Sequence, residues 1–299
     1  MDRFSFTVII PAHNEANVIL RCLSEIFDQT PQRIEPEVIV AANGCEDETA
    51  AIVREHYPDV IVLELKEGSK TQAMNAAMER ATEFPRIFLD ADVRCDFRSL
   101  YALAAALKDG DLWAGVPAVR MDVSQSNWFV RAYYRVWSKQ PFAKMALGGS
   151  GCFGLSQKAL ERIGPFPGII ADDFWALSRF SAEERGVIAE TQDGSPVFSQ
   201  VTPPRAAFEQ IRVEARRRAG NDQVKNAHWN AELELMKRHS LLRSAFTSGA
   251  SLLDILVFLV MKFLSALLAK WRKWRGTETV WVKDLSSRQA QAHPSRARR

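Results

Sequence analysis

The 299-residue sequence predicts an α/β protein, a mostly parallel sheet flanked by helices, with an apolar helical segment near the C-terminus. Three observations predict it. Short apolar, β-prone runs alternate four times with stretches of helical periodicity in the first hundred residues, the pattern of parallel strands joined by right-handed helical crossovers. The turns after the first, second and fourth runs are polar, and open α/β sheets take their ligands beyond the carboxyl ends of their strands. Residues 252–269 are almost continuously apolar and lead directly into Lys270, Trp271, Arg272, Lys273, Trp274 and Arg275.

Each element has its own justification. Phe6 to Ile10 is a β-rich run stopped by Pro11, and Val18, Ile19, Cys22, Leu23, Ile26 and Phe27 then recur at helical spacing. Pro31 and Pro36 bracket the loop that closes this unit, and Val38 to Ala41 is the second strand. Asn43-Gly44 makes a turn, and Glu46 or Asp47 caps a helix carrying Thr49, Ile52 and Val53. Val60 to Leu63 is the third strand, and Gly68-Ser69-Lys70 opens a third helix through Met74, Ala77 and Met78. Arg86 to Leu89 is a short buried strand, with the next helix starting at about Ser99.

Beyond Leu100 the alternation changes. Trp113 to Val119 reads as a strand, and 127–142 is aromatic-rich (Trp128, Phe129, Tyr133, Tyr134, Trp137, Phe142) with Arg131, Arg135 and Lys139 interleaved. Two readings of that segment stand: an amphipathic helix packed on the sheet, or an acceptor- or membrane-facing surface. Gly148 to Gly154 is a Gly-dense loop, a ligand-facing segment or a tight turn.

Two acidic pairs carry the chemistry. Asp90-Ala91-Asp92 follows the fourth strand. Such a pair can share a hard divalent cation, since Mg²⁺ takes one or two carboxylates plus substrate phosphates; it can equally be a solvated loop or a helix cap. Asp172-Asp173 precedes a helix, as an ordinary acidic helix start or as a general base beside a metal–diphosphate. The first strand is not followed by Gly-X-Gly-X-X-Gly, and no Gly-Lys-Ser/Thr loop follows, which disfavours dinucleotide oxidoreductases and P-loop enzymes.

These pieces together resemble the family-2 glycosyltransferases of GT-A, Rossmann-like fold: Val8 to Glu15, Asn43 to Thr49, Lys70 to Asn75, Asp90-Ala91-Asp92, Gly149-Ser150-Gly151, and Asp172-Asp173 followed by Leu177-Ser178-Arg179, in order over roughly 5–220. The resemblance implies transfer of a sugar, with inversion, from a nucleotide-diphosphate sugar. It implies Mn²⁺ or Mg²⁺ at Asp92 and Asp90, and a nucleotide site of Pro11, Ala12, Glu15, Asn43, Lys70 and Asp90. Asp173 becomes the catalytic base with Asp172 beside it, while Gly149, Ser150 and Gly151 face the acceptor or diphosphate. Arg212 and Arg216, four apart on one helix face, can clamp the diphosphate or face solvent and anionic lipid. The chain departs from the family at Ala42-Asn43-Gly44-Cys45, where Asp-Asp-Gly-Ser is usual, and has no clear late histidine near Val201-Thr202-Pro203. It also lacks the Gln-X-X-Arg-Trp motif of processive members. These departures motivate the rival reading, an inactive GT-A-like scaffold or binding subunit. A nucleotidyltransferase is disfavoured by the missing Gly-rich loop.

Composition narrows the rest. At 47% hydrophobic and 25% charged residues the chain is globular, and a net charge of +3 does not argue for nucleic acid. Four cysteines without Cys-X-X-Cys point to a reducing compartment and no zinc site. No signal peptide precedes the first strand. The expected organisation is a catalytic domain over 1–225, a helical membrane-interface segment over 226–283 and a basic disordered tail over 284–299. Spanning by 252–269 is opposed by Asp254 and Lys262 and by the basic cluster a single span would place outside. A peripheral or monotopic helix on the cytoplasmic membrane face is the preferred reading, ahead of a span or a buried oligomerisation helix. A glycan or lipid-linked acceptor follows from that placement.

Overall fold

The computed structural model describes residues 4–28, 34, 36–108, 110–140, 145–148, 150–227, 245–246 and 248–277. Among these, eight strands form one sheet in the order β3-β2-β1-β4-β6-β5-β7, with β8 also paired to β5. The first four strands, β1 (Thr7–Ala12), β2 (Glu37–Asn43), β3 (Ile61–Leu65) and β4 (Arg86–Leu89), are all parallel. Between them run α1 (Ile19–Phe27), α2 (Thr49–His56) and α3 (Lys70–Arg80). The arrangement is thus the mixed, mostly parallel α/β architecture that the alternation predicts.

Because successive strand residues point to opposite faces, the central strands split their side chains between two cores. Phe6, Val8, Ile10, Val38, Val40, Ile87 and Leu89 pack on α1 and on α4 (Phe97–Lys108). Ile9, Ile39, Ala41 and Phe88 pack on α3 and on α7 (Asp172–Leu177). Burial on both faces explains why these strands read as continuous apolar runs.

Four details differ from the sequence reading. β1 does not stop at Pro11 but pairs through Ala12 with Ala42. Its ladder to β4 ends at Ile9–Phe88, so Pro11 lies where β1 has a neighbour on one side only, and its missing N–H forfeits nothing. α4 starts two residues before Ser99, because Asp96 caps it by accepting from the Ser99 N–H at 2.8 Å. The second half of the Gly-dense segment is a strand, β6 (Cys152–Leu155), inserted antiparallel between β4 and β5 (Ala114–Met121). A Cβ on Gly154 would lie 2.6 Å from Leu107 Cδ1, so its glycine serves close helix–sheet packing. The order is completed by α6 (Gln157–Ile163), β7 (Arg185–Ile188) and β8 (Phe198–Val201), the last two taking successive halves of β5.

The fourth difference concerns the aromatic helix α5 (Trp128–Trp137). It packs not on the sheet but on α8 (Ala207–Ala227) and α9 (Leu252–Trp274). Tyr133 and Val136 meet Ile255, Phe258 and Met261 in a third, separate core. Segment 252–274 is therefore joined to the rest through α5 and α8, while 228–244 and the 284–299 tail lie outside the described residues.

α9 is inverted relative to a surface helix. The polar residues of its first four turns face inward: Asp254 pairs with Arg135, Lys262 with Glu214, and Ser265 is fully buried. Its outer face carries Leu252, Leu256, Val260, Phe263, Leu267, Trp271 and Trp274, with Phe263 63% and Trp274 81% exposed. The outer positions recur every three or four residues, a continuous stripe along the helix. At 23 residues α9 is, among the described residues, the one helix long and apolar enough to cross a membrane.

Candidate active site

The carboxyl ends of β1 and β4 meet where the strand order reverses, since β2 and β3 lie on one side of β1 and β4 on the other. A cavity of about 830 Å³ opens there. Pro11, Glu15, Asn43, Lys70, Asp90, Asp92, Ser150, Gly151, Asp172, Asp173 and Arg216 all line it. Residues as distant in sequence as Pro11 and Arg216 thus converge on one space.

Local chemistry fixes the first turn. Asn14 adopts φ 53°, and its Oδ1 accepts the Glu46 N–H at 2.7 Å. Glu15 donates its backbone N–H to Thr49 Oγ1 at 2.8 Å, and Ala16 donates to Asp47 Oδ2 at 3.1 Å. The Asp47 and Thr49 side chains therefore tie the β1 turn to the β2 turn. Asn43 is 2% exposed; its Nδ2 donates to Ala12 O at 2.8 Å and Ala41 O at 3.2 Å. That leaves Oδ1 buried with no protein partner among the described residues. Gly44 (φ 56°) abuts the loop before α3: a Cβ there would lie 2.6 Å from the Gly68 nitrogen.

Lys70, first residue of α3, joins the two acidic pairs. Its ammonium is 2.7 Å from Asp90 Oδ1 and 3.0 Å from Asp172 Oδ2. Burial opposes its charge, but Asp172 and Asp90 outweigh burial and raise its pKa. Burial, against the pull of Lys70, holds Asp90 and Asp172 above the usual carboxylate range. Five carboxylates (Glu15, Asp90, Asp92, Asp172, Asp173) with Lys70 among them leave this end of the cavity strongly negative. Hard oxygen ligands in excess negative charge fit Mg²⁺ or Mn²⁺. No group of three or more His, Cys, Asp or Glu could hold a metal among the described residues. A cation held by only one or two carboxylates would complete its shell with phosphates and water.

The glycine loop is seated on the acidic pair. Asp90 N–H donates to Gly151 O at 2.7 Å, and Gly151 adopts φ 85°. A Cβ on Gly151 would lie 2.6 Å from Val93 Cγ2 and 3.0 Å from Asp90 Oδ2. Ser150 lines the cavity, and Gly149 lies outside the described residues. Asp172 and Asp173 do not precede α7 but are its first two residues. Asp172 turns to Lys70, whereas Asp173 opens to the cavity and accepts the Phe174 N–H at 2.7 Å.

Two predicted residues fall outside the cavity lining. Ala12 is interior to β1 and contributes its carbonyl to Asn43. Arg212 places its guanidinium 5.6 Å from the Phe208 ring centre, and α8 lines the cavity only from Val213 onward. Arg216 does line it.

Sequence reasoning missed the opposite wall. Glu214, 5% exposed, binds Arg217 at 2.7 Å, Lys262 of α9, and the Tyr133 hydroxyl, which donates at 3.0 Å. Burial of Glu214 is outweighed by Arg217 and Lys262, which bring its pKa down to about 2. Burial, reinforced by Arg217 and Arg218 and opposed by Glu214, brings Lys262 down to about 8. The signal was present: a lysine at the centre of an apolar run must find a buried partner.

The mixed α/β sheet with an acidic cavity at its switch point has the architecture of the GT-A glycosyltransferases. The family model described as Glycosyl transferase family 2 matches residues 7–164, more than half of the chain, and the chain belongs to that family. A mannosyltransferase from Pyrobaculum calidifontis, solved with GDP-mannose and Mn²⁺, has the same fold: TM-score 0.58 at 21% identity, covering 91% of this chain and 83% of that one. Glycosyltransferase AglE of Haloferax volcanii is 34% identical over 90 residues, 29% of this chain and 30% of the relative. AglD of the same organism is 30% identical over 112 residues, 35% of this chain. The chain thus spans under a third of the length of either curated relative, 30% of one and 18% of the other.

Proposed function

We propose that this glycosyltransferase moves a sugar, with inversion, from a nucleotide-diphosphate sugar to a lipid-linked or glycan acceptor at the cytoplasmic face of a membrane, in surface polysaccharide or glycolipid synthesis. The observation that carries the reading is the convergence of Asp90, Asp92, Lys70 and Asp173 on one cavity at the switch point. Pro11, Glu15 and Asn43 form the nucleoside end, where the buried Asn43 Oδ1 offers an acceptor to a base N–H. Asp92, with Asp90, would hold Mg²⁺ or Mn²⁺, which supplies positive charge for the departing diphosphate. The Pyrobaculum structure, solved with GDP-mannose and Mn²⁺, supports a donor and cation of this kind.

Asp173 takes the proton of the acceptor hydroxyl as its oxygen bonds to the anomeric carbon. The bond from that carbon to the diphosphate oxygen breaks, and the nucleoside diphosphate leaves. Lys70 orients Asp90 and Asp172 and tempers their repulsion. One displacement from the opposite face inverts the configuration.

The inverted helix α9 supports membrane attachment. Its outer stripe, exposed in the chain alone, is matched to hydrocarbon, and Trp271 and Trp274 among Lys270, Arg272, Lys273 and Arg275 are matched to an anionic interface. Its inner face is committed to α5 and α8 and reaches the catalytic cavity through Lys262. A helix so committed lies along the membrane surface and not across it.

The test is thermal stability of the purified chain with UDP, GDP, CMP and dTDP, each with and without Mn²⁺. A metal-dependent rise with one nucleotide is expected, and it should vanish in Asp92→Ala. A rise that survives in that variant overturns the metal assignment. No rise with any nucleotide, in a folded sample, favours the inactive scaffold.

A further inference from the structure

Asp172 and Asp173 open a helix that does not fix its own start. α7 has six residues, and its N-cap, Ala171, makes no side-chain cap bond. So short a helix is not stable alone. The segment leading into it, Gly164 to Ile170, holds two prolines and two glycines. Where Asp173 stands in the cavity therefore depends on what grips the chain just before it.

Two helices grip that chain. Upstream, Asn75 of α3 clamps the main chain of Phe166: its Oδ1 accepts the Phe166 N–H at 2.8 Å, and its Nδ2 donates to the Phe166 carbonyl at 2.9 Å. Next to the acidic pair the grip comes from α8. Gln223 Oε1 accepts the Ile170 N–H at 3.2 Å. Gly220 is pressed against Ala171, so that a Cβ there would lie 3.0 Å from Ala171 Cβ and 3.1 Å from its nitrogen. Val224, fully buried, shares a core with Ala171, Phe174 and Trp175. Residues three and four apart share a helix face, so Gly220, Gln223 and Val224 bear on the loop together. Their neighbours Asn221, Asp222 and Lys225 line the cavity, whereas these three do not.

Resting on the reading of Asp173 as the base, we propose that Gly220 and Gln223 are positioning residues for catalysis. They act on Asp173 through Ile170 and Ala171 and touch no substrate. The glycine sets how closely α8 approaches the loop, and the amide sets the register of the loop along α8. Misplacing a catalytic group by 1 Å can cost about 10²-fold in rate, so this face of α8 matters to turnover without entering the site.

The experiment measures hydrolysis of UDP-glucose, UDP-galactose and GDP-mannose by the full chain in Mn²⁺, water standing in for the acceptor hydroxyl. Hydrogen exchange at the Ile170 amide is followed in parallel. Wild type is compared with Gln223→Leu, Gln223→Glu, Gly220→Ala, Asp173→Asn and Asp173→Asn/Gln223→Leu. Gln223→Leu and Gly220→Ala should each lower kcat by about 10- to 100-fold with KM unchanged. Gln223→Glu still accepts from Ile170 and should keep kcat within about threefold of wild type. On top of Asp173→Asn, Gln223→Leu should cost nothing further, because residues acting as a unit are not additive. Exchange at Ile170 should quicken roughly tenfold in Gln223→Leu and not in Gln223→Glu.

Wild-type kcat in Gln223→Leu overturns the proposal, and so does a loss that multiplies with that of Asp173→Asn or one that Gln223→Glu shares in full. If Gln223→Leu does not fold, Gly220→Ala is put through the same comparisons. Undiminished kcat in Asp173→Asn defeats the base reading and the proposal with it. A slow Asp173→Asn beside a fast Gln223→Leu defeats the proposal alone. Should no donor be hydrolysed, exchange decides: quickening in Gln223→Leu upholds the grip of α8 on the loop, and unchanged protection overturns it.

Discussion

Replacing Glu214 by Gln removes a carboxylate that holds both Arg217 and Lys262 and accepts from Tyr133. The native pKa of Glu214 is about 2 against 4.5 for a free glutamate. The sign of that difference stabilises the fold at neutral pH, and the lowered pKa of Lys262 opposes it. Deleting one partner of a buried pair costs roughly 3–5 kcal/mol, and about 3 kcal/mol is the loss expected here. A lowered carboxylate pKa stabilises the fold above pH 4.5, and the contribution fades as pH falls towards 2. The difference between wild type and Glu214→Gln should therefore be full at pH 7 and shrink below pH 4.5. In a chain of this size about 3 kcal/mol lowers the melting temperature by roughly 6 °C. Circular dichroism melts from pH 3 to 7 measure it. Because Lys262 would then be buried uncompensated, Glu214→Gln/Lys262→Met should recover part of the loss. A pH-independent loss, or one below about 1 kcal/mol at pH 7, refutes the account of this cluster.

Other variants probe other parts of the molecule. Asp173→Asn should lower sugar transfer by about 10²–10⁴ and leave nucleotide affinity unchanged, read by initial rates and titration; equal loss of both rejects it as the base. Gly151→Ala forces a Cβ against Val93 and Asp90 in a left-handed backbone. It should cost about 1–2 kcal/mol in urea unfolding and weaken Mn²⁺-dependent nucleotide binding. Leu256→Glu/Phe263→Glu places two charges on the α9 stripe and should abolish co-flotation with anionic vesicles while UDP or GDP binding persists.

Much of the fold was written in local pattern. The strands of the first half are buried on both faces, so their apolar runs stand out, and Arg86–Leu89 is found with the bounds the sequence suggests. β6 was hidden because two of its residues' neighbours demand small side chains: Gly154 reads as loop, yet its lack of a Cβ lets Leu103 and Leu107 approach. The site's acidic pairs were legible as motifs, but their mutual relation was not. That Lys70 touches both Asp90 and Asp172 depends on a contact across 102 residues, which no local spacing encodes. Arg212 shows the converse limit. Four-residue spacing placed it on one face with Arg216, but where the cavity ends along α8 is set by tertiary packing. The α8–α9 wall went unread for the same reason: Lys262 looked like an interruption of an apolar helix until its partner on α8 was in view.

The contact between Gly44 and Gly68 reaches beyond the two turns that make it. Turns ordinarily absorb insertions and substitutions, but here two backbones touch with no room for a single methyl group. Asn43 immediately precedes one glycine, and Lys70 follows two residues after the other. If Asn43 and Lys70 serve base and phosphates as proposed above, the separation between those groups is set by main chain against main chain, like the fixed jaws of a calliper. Drift in the side chains around it can change which base is gripped. The span being measured stays constant, so the donor pocket can change its preference without losing its gauge.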